Sequence, residues 1–123
     1  MVFDELSNRV IGCAIEVHRI LGPGLLESAY EQCLAFELEN AAIPFQTQKA
    51  LPVVYKKIKL DCGYRMDIVV DNTLLLELKS VEILLPIHEA QLLTYLKLSG
   101  IRAGLLLNFN VAVLKNGIKR FVL

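Results

Sequence analysis

The stretch GYRMDIVVDNTLLLELKSVE, residues 63–82, decides how this chain is read. Its second half is a run of leucines interrupted at alternate positions by Glu77 and Lys79. Alternate side chains of an extended strand share a face, so Leu74, Leu76 and Leu78 point toward a core while Leu75, Glu77 and Lys79 point the other way. The first half, YRMDIVV, is a second β-rich piece and carries Asp67; Asp71 and Asn72 tolerate turn geometry and mark a hairpin between the two. A loop of Asp71, Asn72 and Thr73 pairs Val70 with Leu74 and sets Asp67 directly across from Glu77. A shorter Asp71-Asn72 turn opposes Asp67 to Leu76 instead and sends Glu77 to the other side of the sheet. The shared carboxylate face therefore needs the longer loop or a compensating bulge.

Two like charges placed opposite each other destabilise a sheet unless a cation sits between them. Carboxylate ligands suit a hard ion such as Mg2+ or Mn2+, and the lack of a Cys and His cluster disfavours zinc. Lys79 is then placed to help activate a water or to stabilise charge on a phosphoryl oxygen. The plain alternative is a solvated Glu77–Lys79 ion pair of little energetic value.

Outward from the hairpin, residues 4–21 repeat apolar side chains at three- and four-residue steps through Leu6, Val10, Ala14, Val17 and Leu21, and predict a helix. GPG at 22–24 breaks it, and a second helix runs to about Asn40. Short β-rich pieces follow at 45–51, 53–56, 58–60, 64–70 and 74–79. Pro86 opens a third helix that Gly100 closes, and residues 102–110 and 117–123 read as two last strands. The order predicts an α+β domain, α/β/α-like, built on a mixed sheet. At 123 residues and 54% hydrophobic content, one domain over 1–123 with its own core is expected.

Charge is balanced overall, but residues 1–40 hold seven acids against Arg9 and Arg19, while residues 41–123 hold eleven bases against six acids. Acidic solvent faces on the helices explain the first half; the basic second half leaves room for phosphate contacts. Cys13, Cys33 and Cys62 form no CxxC pair, which with the charged opening MVFDELSNRV predicts a soluble protein of the reducing cytoplasm. The longest uncharged run, 103–114, is too short to span a bilayer, so no membrane role is expected.

Asp67 followed by Glu77-Leu78-Lys79, on neighbouring strands after a helical region, resembles the active-site signature of the PD-(D/E)XK nuclease superfamily. GLLESAY, residues 24–30, resembles the motif of the small GxxExxY proteins grouped within it, and the similarity extends through YRMDIVV, LELKSVE, HEAQLLTYLKLSG, GLLLNFN and GIKR. The resemblance implies a restriction-endonuclease-like core: a mixed sheet flanked by helices, two of them N-terminal and one between the central hairpin and the last strands. It implies metal-dependent hydrolysis of DNA or RNA phosphodiesters, with Glu27, Asp67 and Glu77 as metal ligands and Lys79 as the catalytic lysine. Gln91 and Tyr95 resemble the Q…Y helix element of some nuclease branches, Gln91 joining the catalytic set. Met66 departs from the pattern by standing where the superfamily's name has proline.

Substrate contacts are expected from Tyr30, Arg65, His88 and Tyr95. Several of the candidates have a blander counterpart: Tyr30 as core, Arg65 as solvated charge, His88 as an ordinary polar contact near a helix start, and, among the proposed metal ligands, Glu27 as a first-turn acid favoured by the helix dipole. The working face of the hairpin is expected to look into a cleft under the second helix. A catalytically silent nuclease fold serving as a binding or assembly module is the second functional class, and the apolar composition points to self-association as a homodimer.

Overall fold

The computed structural model describes residues 4–123. Helix α1 (Glu5–Leu21) begins at Asp4, whose carboxylate accepts the Ser7 N–H at 2.7 Å, and ends at Gly22, whose N–H returns to the His18 carbonyl. Helix α2 (Glu27–Asn40) buries Tyr30, Leu34 and Leu38, one residue per turn. Val10, Ala14 and Val17 of α1 and that stripe of α2 close over one face of a sheet, completed by Ile68, Val70, Leu74, Leu76, Leu78, Leu105, Leu107 and Phe109.

Strands β1 (Phe45–Ala50), β4 (Arg65–Val70), β5 (Leu74–Lys79), β6 (Ala103–Asn108) and β7 (Ile118–Val122) lie side by side in the order β1-β4-β5-β6-β7. All neighbours are antiparallel except β5 and β6, which run parallel because helix α3 (Pro86–Ser99) carries the chain back between them. Strands β2 (Val53–Tyr55) and β3 (Ile58–Leu60) pair only with each other, so Lys56 to Lys59 belong to a small separate hairpin rather than to an edge of the main sheet. A 3-10 turn, Leu114–Gly117, leads into β7 and is absent from the sequence-based expectation. No helix among the described residues is long and apolar enough to cross a membrane.

The leucine run has a structural cause. Strand β5 is central, and Leu74 to Leu78 are all buried, as befits a strand covered on both faces. Its second face meets α3 through Leu75, Leu92, Tyr95, Leu96 and Leu106, joined by Met66 and Val69. Gly104 allows the close approach: a Cβ there would stand 3.0 Å from Leu92. Helix α3 starts with Pro86 at its first turn and stops at Gly100, which takes the left-handed conformation at φ 76°.

Candidate active site

The hairpin between β4 and β5 adopts the longer of the two loops. Val70 pairs with Leu74, Val69 with Leu75 and Ile68 with Leu76. Asp71 and Asn72 both take positive φ, 50° and 56°, and the Thr73 N–H closes the turn on the Val70 carbonyl. The next residues along that register are Asp67 and Glu77, and there the backbone ladder gives way to side chains. The Asp67 N–H donates to Glu77 Oε2 at 2.9 Å, and the Leu78 N–H donates to Asp67 Oδ2 at 2.9 Å. Each carboxylate thus occupies a place where a strand carbonyl would otherwise stand.

The opposite edge of β4 is interrupted at the same level. Thr47 pairs with Ile68 and Lys49 with Met66, but Gln48, between them, has φ 51° and drops out of the strand pairing. Its amide donates to Glu31 Oε1 at 2.6 Å and, at 3.4 Å, reaches Asp67 Oδ1. Gln48 therefore joins α2 to the acid of β4.

Burial dominates the electrostatics. Glu77 is only 6% exposed, and burial, followed by the Asp67 charge, pushes its carboxyl up to about 8, against the Asp67 N–H and Lys79, which favour ionisation. Burial also raises Asp67; the Leu78 and Gln48 hydrogen bonds and Lys79 oppose it, and Glu27 adds to it. Glu31 is raised by burial and then by Asp67, with its Gln48 bond acting against both. The Tyr95 phenol, raised first by burial, feels both Glu77 and Asp67, and it accepts a hydrogen bond from the Gln91 amide at 3.1 Å. Asp67, Glu77, Lys79 and Tyr95 therefore form one electrostatic unit, with Gln91 attached through the phenol.

The orientation differs from the sequence-based expectation. Glu77 alternates with Leu76 and Leu78, which pack under α1 and α2, so its side chain leaves on the α3 face with Leu75. The working side is bordered by both helices rather than by α2 alone, since Tyr95 of α3 and Glu27 and Glu31 of α2 all interact electrostatically with the acids. Glu27 approaches from the exposed first turn of α2, where its Oε2 accepts the Ser80 N–H at 3.4 Å; the Ser80 hydroxyl donates to the Leu25 carbonyl at 2.6 Å. These two bonds tie the GPGLLE loop to the end of β5.

The remaining sequence candidates divide. Tyr30 does not face the site: it is fully buried, stacked on Phe109 at 4.4 Å, and its hydroxyl donates to the Gly22 carbonyl and accepts the Leu25 N–H. The correction has a simple cause, since the core boundary on α2 passes between Glu27 and Tyr30, one turn apart. His88 Nδ1 accepts the Leu85 N–H at 3.0 Å and serves the start of α3. Arg65 is exposed at the beginning of β4, one residue beyond Tyr64. Gln48 and Ser80 were not read from the sequence, and nothing in FQTQKA signals a positive φ. Asn108 was also missed: buried at the end of β6, it donates to the Val81 carbonyl and accepts the Val81 N–H, fixing the chain just beyond Lys79.

Among the described residues no three acids, histidines or cysteines stand close enough to hold an ion by themselves. Asp67 and Glu77 form a pair, and Glu27 stands outside it. The pair nevertheless fits a divalent ion of the oxygen-loving kind, because the buried Glu77 and the half-buried Asp67 each hold the other's strand, with Glu77 Oε1 free of any protein hydrogen bond among the described residues. Mg2+ commonly takes one or two carboxylates and completes its shell with water and substrate phosphate.

A family model described as the PD-(D/E)XK nuclease superfamily matches residues 4–121. No curated protein and no solved structure matches the chain significantly. The match takes in both N-terminal helices, the mixed sheet, and the interrupted β4–β5 ladder with its two acids and lysine. By this match, which spans nearly its whole length, the chain belongs to the PD-(D/E)XK nuclease superfamily.

Proposed function

We propose that the protein is a metal-dependent nuclease that hydrolyses phosphodiester bonds of DNA or RNA, and that GLLESAY places it in the GxxExxY group of the superfamily. The observation that carries the reading is the Asp67–Glu77 pair, in which each carboxylate stands in for a ladder carbonyl and burial resists the second negative charge. A fold has no structural need for such a pair; a cation-binding centre does.

Asp67 and Glu77 would hold Mg2+ or Mn2+, and Glu27 would add negative charge from the start of α2. A divalent ion bound there supplies Lewis-acid polarisation of a phosphoryl oxygen and lowers the pKa of a water. Lys79, whose charge reaches both acids, stabilises the negative charge that builds on the phosphate oxygens as the bond breaks. Gln91 holds the Tyr95 hydroxyl, which borders the acids, and Arg65 at the head of β4 provides a cation for a flanking phosphate. The three cysteines are free, in keeping with work in a reducing cytoplasm.

The test uses purified wild type, Asp67→Asn, Glu77→Gln and Lys79→Ala on single- and double-stranded DNA and RNA with Mg2+ or Mn2+. Wild type should cleave, and each variant should lose about a hundredfold or more in rate while unfolding cooperatively. Calorimetric titration should show ion binding by wild type and its loss in Asp67→Asn. Cleavage retained by all three variants, or no heat with either ion, overturns the assignment.

A further inference from the structure

Beside the acids lies a cavity of about 430 Å3, bounded by α3 on one side and by Val53, Cys62 and Tyr64 on the other. Its volume falls within the roughly 300–1,000 Å3 of small-ligand sites. No ionisable acid, lysine, arginine or histidine lines it, so it does not suit a phosphate. What it offers is aromatic and neutral. Tyr64 is 46% exposed, and its ring meets that of Tyr95 edge-on, with centroids 6.2 Å apart and planes at 68°. The two rings make a corner into which a flat ring slides, stacking on one and meeting the edge of the other.

Polar groups sit where such a ring would present its edge. The Gln91 amide uses Nε2 to reach Tyr95, which leaves its carbonyl oxygen without a protein partner among the described residues; the Thr94 hydroxyl lies one helical turn further along the same wall. Tyr95 is at once a wall of this cavity and a neighbour of Asp67 and Glu77, and Tyr64 is three residues ahead of Asp67 on the same stretch of chain. An occupant of the cavity is therefore covalently within reach of a phosphate at the acids.

We infer that the cavity between Tyr64 and Tyr95 receives one unpaired nucleobase next to the scissile phosphate, so that the substrate is single-stranded or frayed DNA or RNA. This rests on the nuclease reading for its choice of ligand. A base inside a duplex is already covered on both faces by its neighbours and has none to offer a ring; an unpaired one gains a stack on Tyr64. Gln91 and Thr94 then meet its hydrogen-bonding edge.

The experiment measures fluorescence anisotropy of labelled oligonucleotides in chelator, where no cleavage intervenes. Wild type, Tyr64→Ala and the cavity-filling Ala90→Phe are titrated with a single strand, its duplex, and single strands in which an abasic nucleotide is walked along the sequence; DNA and RNA versions separate the two sugars. The single strand should bind at least tenfold more tightly than the duplex. Tyr64→Ala should lose about five- to a hundredfold, the range for one base–aromatic stack, and Ala90→Phe a comparable factor. One abasic position should weaken wild type by a similar factor and leave Tyr64→Ala unaffected. Preference for duplex, or abasic and Tyr64→Ala losses that simply multiply, overturns the inference. Metal-dependent cleavage by wild type without the coupling, or with no binding of any strand in chelator, removes this subsite and leaves the nuclease reading; coupling without cleavage in either ion does the reverse.

Discussion

Replacing Glu77 by Gln tests the electrostatic reading of the site through stability rather than catalysis. The carboxyl is pushed from 4.5 up to about 8, chiefly by burial and then by Asp67. Each pKa unit corresponds to about 1.4 kcal/mol, so ionising Glu77 in the folded protein costs roughly 5 kcal/mol more than in the unfolded chain. Because the folded value lies above the unfolded one, the native state keeps a proton that the unfolded chain releases between pH 4.5 and about 8. Stability is therefore full below that window, falls through it, and is lowest above it. Gln keeps a carbonyl oxygen where Glu77 Oε2 accepts the Asp67 N–H and never ionises. In chelator, Glu77→Gln should match wild type near pH 4.5 and gain on it steadily, up to roughly 5 kcal/mol by pH 8, with no further gain beyond.

Urea unfolding followed by circular dichroism at stepped pH measures this difference directly. A saturating divalent ion supplies an independent arm: it should stabilise wild type most at alkaline pH, where the carboxylate is ready to bind, and leave Glu77→Gln much less affected. A stability difference that stays constant with pH, or a Gln variant less stable than wild type in chelator at alkaline pH, refutes the reasoning.

Two further substitutions separate scaffold from chemistry. Tyr30→Phe removes the hydroxyl that joins Gly22 and Leu25, and should cost about 1–2 kcal/mol in equilibrium unfolding while leaving oligonucleotide affinity in chelator unchanged; lost affinity without lost stability would return Tyr30 to the substrate. Asn108→Leu strands both backbone groups of Val81 and should cost about 2–3 kcal/mol, an effect under about 0.5 kcal/mol showing that water replaces the clamp.

The residues of the site were more legible than its orientation. Strand alternation placed Glu77 and Lys79 on one face because the period follows from local sequence, and the loop of Asp71, Asn72 and Thr73 was one of two that would set the register. The sequence left the two loops open, and only the chain's packing chose between them. The same locality explains the errors. Leu75 is as buried as Leu76, so a hydrophobic run in a central strand does not say which face holds the larger core, and the acids were assigned to α2 alone when Tyr95 of α3 borders them as well. Tyr30 shares a helix face with Glu27 at three-residue spacing, yet a face that straddles the core boundary has one residue in solvent and one at zero exposure. Gln48 was beyond reach because its left-handed backbone is set by the strand beside it, not by its own side chain.

Gln48 and the two acids share one physical consequence. A sheet gains from an unbroken ladder, and with apolar residues at 67 and 77 the pairing of Ile68 with Leu76 would continue to the strand ends and seal the space between β4 and β5. The carboxylates end the ladder by taking its N–H groups themselves, which satisfies those donors and leaves oxygen atoms facing the gap. On the far edge of β4 the positive φ of Gln48 relieves the same stretch of its second partner and frees the amide to hold Glu31 and touch Asp67. The place where the sheet is weakest is thus the place where two negative groups are best fixed, and a cation entering there would restore the attraction that the missing ladder bonds no longer provide.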